Sequence, residues 1–245
     1  MIIRAHGVSP FDESTLREKK AKIIDATCPH VKLSQNSAFM LAEKGYTVFL
    51  AGEKEHAEIK GIHGYVMAGE HALPGRSRAA GTPEEKCFIV GTPEEAEQAA
   101  QGLCKEKGRN CTRSLKSQKT ALIGQTTISQ AEYHAIAHAI KKYFPDLEVG
   151  NTICGATRDR QDALRELCSC VDAVIIAGGK ESANNRRLLS IAESLGKKAW
   201  LVEDKKGLLE TDLHKEEDDT LATIGISAGA STPDSVIDEI EQALL

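Results

Sequence analysis

The 245-residue sequence has few aromatic residues (4%), no long apolar run and no large excess of either charge. No stretch approaches the roughly 20 uninterrupted apolar residues that a membrane-spanning helix needs. The first residues also lack the basic and apolar regions of a secretory signal. Its 31 Lys and Arg against 36 Asp and Glu give a net charge of −5, which leaves non-specific nucleic-acid binding without an electrostatic basis. We therefore expect neither a membrane partner nor a nucleic-acid partner.

Two common nucleotide-binding sequences are also absent. There is no Gly-x-x-x-x-Gly-Lys-Ser/Thr loop, and no Gly-x-Gly-x-x-Gly sequence opens a helix, so neither an NTP site nor a dinucleotide site is predicted. The seven cysteines are odd in number and scattered, unlike the disulfide framework of a small secreted protein. We expect reduced thiols in a cytoplasmic protein, in which any functional cysteine is a metal ligand or a nucleophile.

The sequence has enough apolar residues for a sizeable core, with 41% hydrophobic and 27% charged residues. Short apolar runs alternate with amphipathic segments of helical period, which predicts an α/β fold with parallel sheets. The predicted strands cover residues 22–26, 46–51, 87–90, 120–124, 173–177, 199–202 and 221–226. The predicted helices cover residues 31–44, 131–144, 161–170, 184–195 and 234–245. Ser129 and Glu132 predict a capping box at the start of the second of these helices.

We place domain boundaries near residue 28 and near residues 149–152. They divide the chain into a remnant of a first α/β domain (1–27), a second α/β domain (28–149) and a third (150–245). Residues 70–119 show no clear period, and we assign them no role.

Short polar clusters follow the predicted strands, where parallel sheets place their binding sites. Cys28 and Cys154 each stand at a turn directly after a strand, a position open to either a ligand or an ordinary buried thiol. His56 and Glu58, two residues apart in a predicted turn, form either a proton-transfer pair or part of a solvated loop. His6 allows the same two interpretations. Cys168, at a predicted helix end, is expected to be structural.

Seven of these clusters, in order along the whole chain, resemble the family of 4-hydroxy-3-methylbut-2-enyl diphosphate reductases, which complete the methylerythritol phosphate route to isoprenoids. The matching strings are Arg4-Ala5-His6-Gly7-Val8, Asp25-Ala26-Thr27-Cys28-Pro29, Gly52 through His56 to Glu58, Gln125-Thr126-Thr127, Asn151-Thr152-Ile153-Cys154 with Ala156-Thr157-Arg160-Gln161, Ser182-x-Asn184 with Arg187-Leu188, and Ala228-Gly229-Ala230-Ser231-x-Pro233-Asp234.

The resemblance implies three small α/β domains around a central [4Fe-4S] cluster, which three cysteines hold and whose fourth iron binds the substrate hydroxyl. The implied reaction removes that hydroxyl with two electrons and two protons and yields isopentenyl and dimethylallyl diphosphates. The implied electron donor is a ferredoxin or a flavodoxin. Two of these three domains are largely present in this chain.

The family's site residues carry over position by position. Cys28 and Cys154 match two of the three cluster ligands, and Glu58 matches the proton donor to the leaving hydroxyl. Thr126 matches the hydroxyl residue near the substrate alcohol, with Thr127 as its alternative. The diphosphate pocket is matched by His6, His56, Ser182, Asn184 and Ser231, which together suit a multiply charged anion beside a helix start.

The sequence also departs from the family pattern. It lacks the Gly-Phe-Cys-x-Gly-Val turn with the first cluster cysteine and a later diphosphate-binding histidine, so we expect that Met1 is not the biological start. Ala183 stands where many members have a second serine, and Ala57 replaces a proline. Two other functions remain open: a relative that binds diphosphate without a stable cluster, and a hydrolase that uses Glu58 with a divalent metal.

Overall fold

The computed structural model describes residues 1–20, 22–71, 86–106, 118–211, 213 and 223–245. They form two compact units, Met1–Ile153 and Cys154–Leu245. The predicted boundary at 149–152 lies just before this division, and the three-part domain organisation stays a prediction. Within the described residues, no helix is long and apolar enough to cross a membrane.

The first unit contains two parallel sheets. Their strands are β1 (Ile2–Ile3), β2 (Ile24–Asp25), β3 (Thr47–Ala51), β4 (Cys87–Val90), β5 (Thr120–Gly124) and β6 (Glu148–Val149). Strand β1 pairs with β2, and the larger sheet has the order β4-β3-β5-β6. The helices are α1 (Pro10–Glu18), α2 (Pro29–Glu43), α3 (Ala57–His71), α4 (Pro93–Glu106) and α5 (Gln130–Lys141).

The central strands β3 and β5 are buried along their whole length, because helices cover both faces of the parallel sheet. Alternate residues of β3 therefore enter two different cores. Phe49 packs in one core with Leu122 and Tyr133, while Leu50 packs in the other with Ile59 of α3.

The second unit contains one parallel sheet of order β8-β7-β9. Its strands are β7 (Ala173–Ala177), β8 (Lys198–Val202) and β9 (Ile224–Ala228), and its helices are α6 (Gly155–Cys170), α7 (Ala183–Ser194), α8 (Lys205–Leu209) and α9 (Asp234–Leu244). Strand β7 is fully buried between its two neighbours. The parallel α/β fold class is thus confirmed.

Helix α3 differs from the sequence-based expectation. Glu58 lies in its first turn and not in a loop, so the predicted turn at residues 56–58 is wrong. Glycines allow α3 to lie unusually close to its neighbours: a Cβ atom added at Gly64 would lie 2.3 Å from Cβ of Ser9. One added at Gly69 would lie 2.4 Å from the Phe39 carbonyl oxygen of α2.

Ser129 is the N-cap of α5: its Oγ accepts from the Glu132 N–H (3.2 Å) and donates to Glu132 Oε2 (2.6 Å), so the two residues predicted to cap this helix pair with each other. The first two residues of the predicted strand 221–226 lie outside the described residues.

Candidate functional site

In the first unit, the polar residues predicted from sequence follow the carboxyl ends of parallel strands. His6 follows β1, Cys28 follows β2, His56 and Glu58 follow β3, and Thr126 follows β5. Because β1 pairs with β2 and β3 pairs with β5 in parallel, the side chains after each pair lie at the same edge of their sheet.

Glu58 and Thr126 form a buried hydrogen-bonded pair across β3 and β5. The Thr126 backbone N–H donates to Glu58 Oε1 (2.7 Å), and its hydroxyl donates to Oε2 (2.9 Å). Glu58 is 1% exposed, and burial raises the pKa of its carboxyl, while the two bonds from Thr126 lower it in part. The structure thus provides a carboxyl group that holds its proton more tightly than an exposed glutamate, next to a hydroxyl group.

Two imidazole rings contact each other, and one of them accepts from the Glu58 backbone. The Glu58 backbone N–H donates to His56 Nδ1 (3.3 Å), so the proton of the neutral His56 ring is on Nε2. The His6 ring meets the His56 ring edge to face, with centroids 5.0 Å apart. Burial lowers the pKa of His6, and the positive charge of Arg4 lowers it further. His6 is thus linked to the start of α3 through His56.

Cys28 is the N-cap residue of α2, and its half-buried thiol makes no capping hydrogen bond. Its backbone N–H donates to the Ala5 carbonyl (2.9 Å), which ties the cysteine to the His6 loop. The preceding turn is fixed by Asp25, which accepts from the Thr27 N–H (2.9 Å) and pairs with Lys32 (2.5 Å). Bonds from Lys32 and Thr27 lower the pKa of Asp25 to about 2.

Cys154 occupies the equivalent position in the second unit, as the half-buried N-cap residue of α6, again without a capping bond from its side chain. Arg160 of the same helix donates to the Ala228 carbonyl (2.6 Å) and so ties α6 to the end of β9. Cys168 instead lies 2% exposed in an apolar core with Leu164, where burial raises the pKa of its thiol. The two turn cysteines thus differ from the core cysteine in their surroundings.

The second unit also carries three of the predicted diphosphate residues. Ser182 is the N-cap of α7, and its Oγ accepts from the Asn185 N–H (3.4 Å). Asn184 follows in the first turn, and its buried Oδ1 has no hydrogen-bond partner among the described residues. Ser231 is exposed in the loop after β9, which pairs with β7 in parallel. Both loops follow carboxyl ends of adjacent strands.

Within the described ranges, no group of three or more His, Cys, Asp or Glu side chains is arranged to hold a metal ion. Thiols at helix N-termini suit a negatively charged iron–sulfur cluster, because thiolates are its usual ligands and the helix dipole favours negative charge there. Cys28 and Cys154 therefore fit as ligands in type and position, but they are one short of the three that the resemblance implies.

Sequence reasoning missed the buried amide of Gln125, although it stands within a matching string. Gln125 is 2% exposed, its Oε1 accepts from the Glu53 N–H (3.0 Å), and its Nε2 donates to Thr127 Oγ1 (2.9 Å). It therefore joins the loop after β3 to the loop after β5. The hydroxyl that reaches Glu58 is that of Thr126, whereas Thr127 contacts Gln125. The signal in the sequence was a polar side chain directly after a buried strand.

The first unit also contains a cavity of about 670 Å³ beside β4, and its lining includes Lys54, His63 and Glu95. None of the site residues predicted from sequence lines this cavity, so it is separate from the Glu58 group.

These features define an α/β protein in which polar residues follow the carboxyl ends of parallel strands in each unit, with a buried acid in the first. The chain belongs to the LytB protein family, whose match covers residues 1–245.

Relatives with known names cover the whole chain. It is 42% identical over 248 residues to the 4-hydroxy-3-methylbut-2-enyl diphosphate reductase of Treponema pallidum (strain Nichols), with 100% of this chain and 60% of the relative covered. The enzyme of the same name from Treponema denticola is 43% identical over 246 residues, covering 100% of this chain and 73% of the relative. The chain thus spans only 60–73% of the length of these two relatives.

Solved structures show the same fold. The E-1-hydroxy-2-methyl-but-2-enyl-4-diphosphate reductase of Plasmodium falciparum matches with a TM-score of 0.78 and 26% identity, covering 99% of this chain and 66% of that structure. A second structure, of (E)-4-hydroxy-3-methyl-but-2-enyl diphosphate reductase, matches with a TM-score of 0.56 and 32% identity, covering 99% of this chain and 74% of that structure.

Proposed function

We propose that the protein carries out the reductive dehydroxylation of 4-hydroxy-3-methylbut-2-enyl diphosphate to isopentenyl diphosphate and dimethylallyl diphosphate. The family membership and the names of the relatives support this reaction class. The single observation that carries the proposal is the buried pair of Glu58 and Thr126. A carboxyl group with a raised pKa beside a hydroxyl is the arrangement that protonation of a leaving alcohol needs.

Glu58 is the general acid in this proposal. The carbon–oxygen bond of the allylic alcohol breaks, two electrons and two protons are taken up, and the oxygen departs as water. Burial keeps a proton on Glu58 to a higher pH than on an exposed glutamate, because it raises the pKa of the carboxyl. Thr126 Oγ lies 2.9 Å from the carboxylate and is able both to accept and to donate, so it passes or orients this proton.

We assign diphosphate binding to the polar side chains that the resemblance carries over. His6 and His56 supply imidazole N–H groups, and Ser182, Asn184 and Ser231 supply hydroxyl and amide groups, the first two of them at the start of α7. The free backbone N–H groups of a helix start and its dipole favour a bound anion. These groups offset the charge of a diphosphate without a P-loop.

We further propose a [4Fe-4S] cluster, with Cys28 and Cys154 as two of its thiolate ligands. When bound, the cluster would supply electrons and a Lewis-acidic iron for the substrate hydroxyl. A ferredoxin or flavodoxin is the electron donor that the family implies. Both proposed ligands are thiols outside any disulfide, which fits a reducing compartment such as the cytoplasm.

The test of the acid is the Glu58→Gln variant. It is made in a version of the protein that carries all three of the cluster cysteines that the resemblance implies. Glutamine keeps the shape and both contacts with Thr126, because the threonine hydroxyl is able to accept as well as donate. Turnover is expected to fall about 10²–10⁴-fold while iron content stays unchanged. Glu43→Gln, at an exposed position of α2, is the matched control and should behave as the parent. Near-parent turnover of Glu58→Gln would contradict the assignment.

The cluster is tested separately by counting iron and sulfide after anaerobic reconstitution, together with the absorption spectrum. Iron and sulfide in equal amounts, with a coloured protein, support the reductase. A colourless protein that still binds inorganic diphosphate would instead support the diphosphate-binding relative. Phosphate release from the substrate without any reductant would point to a hydrolase.

A further inference from the structure

Asn185 lies between the two loops of the second unit that carry Ser182 and Ser231, and nothing so far assigns it a role. It is 2% exposed, although it is a polar residue in the first turn of α7. Its Nδ2 donates to the Gly179 carbonyl (3.0 Å), and its backbone N–H donates to Ser182 Oγ (3.4 Å). Asn185 thus binds the loop after β7 at the point where that loop enters the helix.

The same amide also contacts the loop after β9. A Cβ atom added at Gly229 would lie 2.0 Å from Asn185 Oδ1, and one added at Gly178 would lie 2.5 Å from Nδ2. Gly178 has a φ of +137°, which only glycine adopts readily. Both loops therefore pass directly against Asn185, and a side chain at either glycine would force them apart. The loop after β9 is held further by Thr232, whose hydroxyl donates to the Ala177 carbonyl (3.0 Å).

The oxygen of this amide is an unused acceptor. Asn185 Oδ1 is buried and has no hydrogen-bond partner among the described residues. A buried acceptor without a donor carries a free-energy cost, so such a group in a folded protein calls for an explanation. A diphosphate brings acceptor oxygens, so Asn185 acts on an anion site through the spacing of the two loops and not through this oxygen.

We propose that Asn185 is a positioning residue of the diphosphate site: it fixes the separation of the Ser182 and Ser231 loops through its bond to the Gly179 carbonyl and its close contact with Gly229. This inference rests on the proposed function, since it assumes that these two loops bind the diphosphate. Asn185 is neutral, so it sets the geometry beside the anion without adding charge.

Three variants test the proposal with inorganic diphosphate as the probe, measured by calorimetry on the full chain. Asn185→Ala removes both contacts of the amide, and the dissociation constant is expected to rise about tenfold. Asn185→Asp keeps the volume but replaces the Nδ2 donor by a charged oxygen, and the dissociation constant is expected to rise about 100-fold or more, less so at high salt. Asn36→Ala, at an exposed position of α2, is the matched control and should bind as the parent.

Melting temperatures separate positioning from stability. A purely structural role would lower the melting temperature of Asn185→Ala but leave the dissociation constant of the folded protein unchanged, and this result would overturn the proposal. If Asn185→Ala does not fold, Asn185→Asp carries the test, because it preserves the packing volume. Binding by Asn185→Asp equal to that of the parent would likewise overturn it.

Ser182→Ala and Ser231→Ala distinguish failure of this inference from failure of the proposed function. If both serine variants weaken diphosphate binding while the Asn185 variants do not, the positioning role is wrong and the site stands. If the parent does not bind diphosphate, or neither serine variant weakens binding, the site assignment fails, and the role of Asn185 fails with it.

Discussion

The close approach of α3 to Ser9, in the loop that also carries His6, predicts opposite effects for two glycine-to-alanine substitutions. In Gly64→Ala, the new Cβ would lie 2.3 Å from Cβ of Ser9, so the loop or the helix has to move. In Gly102→Ala, on α4, no described atom beyond the chain neighbours and the nearby backbone of the helix itself lies within 4 Å of the new Cβ. Both residues are helical, so the intrinsic gain in helix propensity is the same at the two positions.

The magnitude follows from two opposing contributions. Replacing a helical glycine with alanine stabilises by about 1 kcal/mol. Overpacking at a tight contact costs about 1–3 kcal/mol. Movement of Ser9 also strains the cap of α1, where Ser9 Oγ accepts from the Asp12 N–H (3.1 Å). We therefore expect Gly102→Ala to stabilise by about 1 kcal/mol and Gly64→Ala to destabilise by about 1–2 kcal/mol.

Hydrogen exchange of peptides from α2 and α3, read by mass spectrometry, measures the opening free energy of this region. Trp200, the single tryptophan, lies in the second unit, and its fluorescence reports whether that unit stays unchanged. Gly102→Ala is expected to raise the protection of α4 against exchange. An equal rise in the protection of α3 in Gly64→Ala would refute the close packing of α3 against Ser9. A matching loss of diphosphate affinity in Gly64→Ala is expected, because Ser9 follows His6 in the same loop.

Three further outcomes are expected. Burial raises the pKa of Glu58 above its value in the unfolded chain, so the stability it contributes is complete below the unfolded pKa and is lost as pH rises through the folded one. The free energy of unfolding of the parent, measured with urea, should therefore fall with rising pH relative to that of Glu58→Gln. The same pH dependence in both proteins would exclude Glu58 as its source. Cys154→Ser should lose most of its iron after reconstitution and Cys168→Ser should not; equal iron in the two would mean a wrong ligand assignment. Tyr133→Phe loses a hydroxyl that donates to the Gly150 carbonyl (2.7 Å), so it should destabilise the protein by about 1–2 kcal/mol. It should also speed the exchange of amide protons after residue 150. Unchanged exchange there would argue against a stabilising role of this hydrogen bond.

Strands β3, β5 and β7 were predictable because their apolar runs are buried on both faces, whereas the two-residue strands β1 and β6 were not among the predicted runs. Strands β4, β5 and β7 occupy the predicted residues, since runs such as Ala173–Ala177 offer no polar position that would end them earlier. Helix α3 was not predictable in the same way. Gly61, Gly64 and Gly69 lower its helix propensity, and only the contact with α2 and the Ser9 loop explains why glycine is needed there.

The candidate site was predictable as a set of positions but not as an arrangement. The polar residues after the strands marked where a parallel sheet places its site. The burial of Glu58 and its two bonds to Thr126 depend on the pairing of β3 with β5, which no local pattern contains. The roles of Gln125 and Asn185 depend in the same way on loops that meet only in three dimensions.

The buried carboxyl group of Glu58 has a consequence for stability. At neutral pH its burial, which raises the pKa of the group, works against the stability of the first unit, and an apolar residue of similar volume would avoid that cost. Where the acid has no function, its replacement by such an apolar residue is therefore expected to stabilise the protein. Burial of an acid at this position is therefore a stability cost in the first unit, and the proton transfer proposed for Glu58 supplies a reason for it.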